Sequence, residues 1–198
     1  DHWVLNSIGA LAVIEALGAD VVKAAAILAG VKASPGRGAR RMLSFDGGTI
    51  ELLDESYNAN PVSVQAMLEV LARTEPQAGG RRILALGDMR EIGSSSAEEH
   101  IALAGPVVEA GVEGIFLAGP EMQRLAEALP PGLPQASAPS ADELWNQLQN
   151  ALKDGDLLLI KGSNASGMGR IADRLRQWSQ TAAMGKMDGG PEGAARVG

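Results

Sequence analysis

Apolar residues near the start of the chain recur at Ala10, Val13, Ile14 and Leu17, the spacing that lines one face of a helix. The pattern predicts a helix over Val4–Leu17, apolar nearly all round and stopped at Gly18. A helix this apolar expects cover on more than one side. A second, shorter helix is predicted from about Asp20 to Ala29. Ser34-Pro35-Gly36-Arg37-Gly38 then breaks the periodicity and reads as a joint between domains.

Past the joint, short apolar runs alternate with helical patterns. Arg41–Phe45 and Thr49–Leu53 flank Asp46-Gly47-Gly48 and predict a hairpin. Pro61 stands where a first helical residue would, followed by Val64, Met67, Leu68 and Leu71 on one face. Arg82–Leu86 reads as a strand ending at Gly87-Asp88, and Ser95 or Ser96 with Glu98 or Glu99 as a capping box for a helix reaching about Ala110. Gly114–Leu117 is a further strand, Met122, Leu125, Ala126 and Leu129 a helix face, and Ser140-Ala141-Asp142-Glu143 a second capping box, for a helix through Leu152. Asp156–Ile160 reads as a buried strand, and Ile171, Leu175 and Trp178 as one face of a final helix. From about Thr181 the chain turns to Gly, Ala and scattered charge without period, which predicts disorder.

Strand–helix alternation of this length predicts an α/β fold with a doubly wound, mostly parallel, Rossmann-like sheet. Such sheets bind ligands outside the carboxyl ends of their strands. Functional residues are therefore expected at Asp54–Asn60, Gly87–Glu91, Gly119 and Lys161–Ser163.

Composition narrows the options. A chain of 198 residues with 45% hydrophobic residues can build a core, but at 3% aromatic it must pack on Leu, Ala, Val and Ile. A net charge of -7 argues against a nucleic-acid binder held by broad electrostatics. The absence of cysteine excludes disulfides and thiolate zinc sites and fits a reducing compartment. The apolar stretch Ile8–Leu17 is broken by Glu15 and too short to span a bilayer, so no membrane insertion is expected. A start at Asp1-His2-Trp3, with no Met and no signal peptide, reads as a fragment or a processed product.

The densest polar cluster is Asp54-Glu55-Ser56-Tyr57-Asn58-Ala59-Asn60-Pro61, after a strand and before a helix. A carboxylate there can accept from sugar hydroxyls, and the helix amides can face an anion. An Asx-rich turn that merely caps the helix accounts for the same residues, and both readings stand. Gly87-Asp88-Met89-Arg90-Glu91-Ile92-Gly93 is either a charged functional loop or a solvated one. Lys161 ends a buried strand, a mobile point charge suited to carboxylate or phosphate. Gly162 to Gly167 has P-loop spacing, but Met168 and Gly169 stand where Lys and Ser/Thr are required, and no G-x-G-x-x-G follows a strand. His2 and His100 lack partners at metal-ligand spacing, and no nucleophile elbow is present.

Together these segments resemble the Mur ligase family, in the branch that adds D-Ala-D-Ala. The resemblance rests on His2-Trp3-Val4-Leu5-Asn6-Ser7 with Ala10, on Gly36-Arg37, on Ser56-Tyr57-Asn58-Ala59-Asn60-Pro61, on Leu86-Gly87-Asp88-Met89 with Glu91-Ile92-Gly93, and on Lys161-Gly162-Ser163. The related folylpolyglutamate synthetases carry a different, Asp–His–Asn–Pro loop at the third of these places. The match spans roughly residues 1 to 178. It implies a three-domain cytoplasmic enzyme in which residues 1–35 close the central ATP-binding domain, 36–180 form the C-terminal domain, and 181–198 are a tail. In that family ATP activates a terminal carboxylate of the acceptor, here UDP-MurNAc-tripeptide, as an acyl phosphate, and an incoming amine attacks it. The P-loop, the Mg2+ ligands and a modified lysine belong to the central domain, so the chain alone, without that and the N-terminal domain, is expected to be inactive. The resemblance implies ATP contacts for Asn6 (adenine), Arg37 (ribose and phosphate), Asp54 (ribose) and Tyr57. It implies contacts to D-Ala-D-Ala for Asn58, Asn60, Asp88, Lys161 and Ser163. The family often has two aspartates at Asp54-Glu55, so the ribose contact falls on one or the other. A non-catalytic Rossmann-like module holding a peptide or partner is the reading from a different class.

Overall fold

A computed structural model describes residues 2–31, 34–133 and 135–188, without the side chains of residues 2, 3 and 185–188. The His2 side chain and the tail expected over 189–198 therefore lie outside the described residues. The chain forms two compact units, residues 1–34 and 35–198.

The first unit is a helix pair, α1 (His2–Ala16) and α2 (Val21–Leu28). α1 stops where the pattern places the stop: the Gly18 N–H returns to the Glu15 carbonyl and the Ala19 N–H to Ile14, capping the orphan carbonyls of the last turn. Asp20 opens α2 by accepting the Lys23 N–H at 3.0 Å. Leu5, Ile8, Val13, Leu17 and Val22 remain exposed, so the cover that so apolar a helix expects is not made here.

The second unit is built on six strands in the order β1-β2-β6-β3-β4-β5. β1 (Ala39–Phe45) and β2 (Gly48–Glu55) form the expected antiparallel hairpin. β3 (Arg82–Gly87), β4 (Gly114–Ala118), β5 (Gln135–Ala138) and β6 (Leu157–Lys161) run parallel to one another and to β2. Side chains alternate across the sheet as pleating requires. Leu157 and Leu159 face one core, with α3 (Pro61–Arg73), α5 (Ala104–Glu109) and α6 (Pro120–Ala128). Leu158 and Ile160 face the other, with α7 (Ala141–Ala151) and α8 (Met168–Asp188).

Three elements differ from expectation. The helix predicted from Ser95 or Ser96 to Ala110 is a 3-10 turn (Gly93–Ser95), α4 (Ser96–Ile101) and α5, and no side chain caps its start. The cap is redundant because the 3-10 turn feeds directly into α4. The break at Ala102-Leu103 follows from Pro106, which has no N–H for the Ala102 carbonyl and whose ring clashes with it. The short edge strand β5 was not anticipated, since Gln-Ala-Ser-Ala has no β-branched or large apolar residue. Helix α8 also continues past Gln180 to Asp188, where Ala182, Ala183 and Met184 are good helix formers without an apolar period. No helix among the described residues is long and apolar enough to cross a membrane.

Candidate functional site

The chain leaves β3 toward α4 and α5 on one face of the sheet and leaves β6 toward α8 on the other. These strands are neighbours, so their exits diverge and open a crevice at their carboxyl ends, the place where doubly wound sheets bind ligands. Asp88 follows β3 there, and Lys161 and Ser163 end β6. The tip of β2, paired to β6 with Glu55 opposite Lys161, carries the Asp54–Asn60 cluster to the same edge. Asn6, in the first unit, is exposed on α1.

Asp54 is fully buried, and its carboxylate is saturated. Oδ1 accepts the Ser56 N–H at 3.2 Å and the Ser56 hydroxyl at 2.6 Å, while Oδ2 accepts the Gly36 N–H at 3.2 Å and Arg176 Nη1 at 2.7 Å. Four donors fill the four lone-pair positions of a carboxylate, leaving none for a ribose hydroxyl in this arrangement. Asp54 instead fastens the joint. The Tyr57 N–H returns to the Gly36 carbonyl and the Gly38 N–H to the Asp54 carbonyl, each at 3.0 Å. Gly36 has φ +74, and a Cβ there would lie 2.9 Å from the Tyr57 nitrogen. Arg37 and Tyr57 are both exposed, with the guanidinium 3.7 Å from the ring centroid. Arg176, on α8, is a residue of this cluster that the sequence pattern did not mark. Only its distance in space from Asp54, not any local motif, connects them.

Both asparagines of the loop have structural work. Asn58 Oδ1 accepts the Ala59 N–H at 2.9 Å. Asn60 is the N-cap of α3: its Oδ1 accepts the Ser63 N–H at 2.8 Å, and the Ser63 hydroxyl oxygen accepts the Asn60 N–H at 3.0 Å. Their amide NH2 groups and exposed surfaces remain at the crevice edge. The glycines after Lys161 also serve packing, since a Cβ on Gly162 would run into Ser166 and Met168.

Lys161 and Asp88 are buried charges of opposite sign at the tips of β6 and β3. Lys161 donates from Nζ to the Asn58 carbonyl at 2.9 Å. Burial holds its ammonium below the ordinary lysine range, opposed by Glu55. Asp88 Oδ1 accepts the Met122 N–H at 3.0 Å, capping α6 from another strand's tip. Gly119, at φ +119, leaves room for this, because a Cβ would collide with the Asp88 carboxyl. Asp88 Oδ2 is buried with no hydrogen-bond partner among the described residues, and Arg90 approaches only to 3.9 Å. Burial pushes the Asp88 carboxyl up, against the pull of the Met122 N–H. Ser163 faces the backbone: its hydroxyl donates to the Asp88 carbonyl at 2.8 Å, and its N–H does so at 3.2 Å.

Beyond Asp88, Glu91 has φ 63, the one non-glycine in the left-handed region among the described residues. Such a residue carries roughly 1–2 kcal/mol of strain. A groove of about 410 Å³ between α3 and α5, lined by Gln65, Glu69, Arg73 and Glu109, lies on the helical face. The described residues contain no group of three or more His, Cys, Asp or Glu that could hold a metal ion.

Residues 40–164 match the family described as Mur ligase, glutamate ligase domain. UDP-N-acetylmuramoyl-tripeptide--D-alanyl-D-alanine ligase of Mycobacterium tuberculosis (strain CDC 1551 / Oshkosh) is 31% identical over 194 residues, covering 88% of this chain and 38% of that protein. The fold is similar to a solved MurF structure from Acinetobacter baumannii, at TM-score 0.69 and 25% identity over 87% of this chain and 37% of that one. It is also similar to MurF ligase from Thermotoga maritima in complex with ADP, at TM-score 0.65 and 24% identity over 86% of this chain and 37% of that one. The chain thus spans somewhat over a third of the length of the relatives it matches, 37–38%. With its sheet, its strand-end loops and most of its length matched in this way, the chain belongs to the Mur ligase family of ATP-dependent amide ligases.

Proposed function

We propose that the chain is the C-terminal portion of a cytoplasmic, ATP-dependent ligase that adds D-Ala-D-Ala to UDP-MurNAc-tripeptide in peptidoglycan synthesis. Residues 1–35 are then the closing helices of the central ATP-binding domain, with 36–180 the C-terminal domain. The named relative carries out that addition, and the Thermotoga relative holds ADP. The carrying observation is the pair of opposite, buried charges at the tips of neighbouring strands, Lys161 held below its ordinary range and Asp88 above. A zwitterionic dipeptide compensates both: its carboxylate restores the Lys161 ammonium, and its ammonium supplies the donor that Asp88 Oδ2 lacks.

ATP, when bound, supplies the phosphoryl group that activates the acceptor carboxylate. Mg2+ would be held by residues of the central domain, outside this chain. On the adenosine side, Arg37 and Tyr57 present an exposed cation and ring, and Asn6 an amide for the adenine edge. The ribose contact falls to the Asp54-Glu55 pair at the tip of β2, with Asp54 already accepting four hydrogen bonds within the chain. On the amine side, an ammonium must lose a proton before its nitrogen can attack. The raised proton affinity of Asp88 Oδ2 makes it the acceptor for that proton.

Calorimetry of the chain with D-Ala-D-Ala, N-acetyl-D-Ala-D-Ala and D-Ala-D-Ala amide tests this reading. Blocking either end is expected to weaken binding at least about tenfold. Equal affinity for the three would remove the charge-pair argument, and no binding of D-Ala-D-Ala would remove the assignment. With ATP, acceptor and dipeptide, the chain alone is expected to release no ADP.

A further inference from the structure

His100 is completely buried on α4 and takes no part in the chemistry above. Its two ring nitrogens are nonetheless both committed. Nδ1 lies 2.6 Å from the Ser96 carbonyl oxygen, which can only accept, so Nδ1 carries the proton. Nε2 lies 3.0 Å from the Met89 nitrogen, whose N–H can only donate, so Nε2 offers its lone pair. One tautomer satisfies both bonds, with the proton on Nδ1. Its single outward bond goes to the backbone immediately after Asp88.

The other end of that peptide group is held as well. The Asp88 carbonyl accepts both the N–H and the hydroxyl of Ser163 from the tip of β6. The peptide unit joining Asp88 to Met89 is thus clamped at its oxygen by the β6 tip and at its nitrogen by α4. Two residues further on lies Glu91 with its left-handed backbone, a conformation that persists only where its surroundings impose it. Loss of that clamp would free the chain after Asp88 to shift, and with it the position of Oδ2 in the crevice.

We propose that His100 is a positioning residue for the amine-side contact: through the Met89 N–H it fixes the Asp88–Met89 peptide group and so aims Asp88 Oδ2 at the incoming ammonium. This rests on the proposed D-Ala-D-Ala site. Gln places an acceptor near the Nε2 position and can replace the clamp, whereas Asn reaches only the Nδ1 position and cannot.

Two measurements on the 198-residue chain test it. Imidazole 15N spectra of the unsubstituted chain are expected to show His100 as the Nδ1–H tautomer, and an Nε2–H tautomer would overturn the clamp without any variant. H100N is expected to lose hydrogen-exchange protection at the Met89 amide and to bind D-Ala-D-Ala about tenfold more weakly. H100Q is expected to restore both, with the Leu84 and Ile115 amides unchanged throughout. H100N that keeps Met89 protected, or that loses it while binding the dipeptide undiminished, would overturn the proposal. Failure of the unsubstituted chain to bind D-Ala-D-Ala would instead sink the functional reading, leaving the tautomer result to stand separately.

Discussion

Asp156 and Asp88 sit at opposite ends of the same parallel sheet, one just before β6 and the other just after β3, and both are buried. Asp156 is saturated: Oδ1 accepts the Arg81 N–H and Nε–H, each at 3.1 Å, and Oδ2 accepts Arg81 Nη2 at 2.6 Å and the Lys153 N–H at 2.8 Å. Asp88 accepts the Met122 N–H on one oxygen, and its other oxygen has no hydrogen-bond partner among the described residues. An uncompensated buried carboxylate costs stability, so the amino edge is built to hold the sheet together while the carboxyl edge keeps an acceptor in reserve. Asp54, saturated but at the carboxyl edge, belongs with Asp156 in this respect. It ties the joint down and leaves the reserve to its neighbours.

Substitutions should separate these roles. D156A is expected to cost the most, about 3–5 kcal/mol in urea denaturation, because it strands the Arg81 guanidinium and two backbone N–H groups. A loss below about 1 kcal/mol would mean that the amino edge is not held this way. D54A is expected to cost about 2 kcal/mol and to raise exchange at Tyr57, which depends on the joint. N60A should cost about 1 kcal/mol through loss of the α3 cap, whereas N60D, which keeps the accepting oxygen, should restore it.

D88N should have the smallest effect, within about 1 kcal/mol at neutral pH, since it removes a buried charge and keeps an oxygen for the Met122 N–H. Its pH dependence is the sharper readout. The folded Asp88 pKa is raised, so its contribution is fully present below the unfolded carboxyl value of about 3.9 and is lost as pH rises through the folded value. The stability of the unsubstituted chain relative to D88N should therefore fall as pH climbs through that window and level off above it. A rise over the same interval would reverse the sign and contradict the burial argument.

Much of the sheet was legible because its elements are local: the hairpin around Asp46–Gly48, the Pro61 helix start and the apolar run of β6 each follow from a few adjacent residues. The gathering of polar residues at the strand tips was legible too, from topology alone. What could not be read was which of them are free to act. Asp54 is claimed by Arg176, 122 positions away, and Asp88 by the N-terminus of α6, 34 positions away. Those partners are set by packing rather than by any local pattern. In the sequence His100 has no partner at metal-ligand spacing, and its bond to Met89 requires α4 to be in place against the β3 exit.

The central claim is that ligand binding belongs to the crevice at the carboxyl ends of β3 and β6. Amide chemical-shift mapping of the isotope-labelled chain during titration with D-Ala-D-Ala tests it directly. The account predicts shifts concentrated at residues 54–60, 87–91 and 161–163, with Arg81 and Lys153–Asp156 at the amino edge unmoved. Shifts centred on the amino edge or on the groove between α3 and α5, or no shifts at any strand tip, would contradict it.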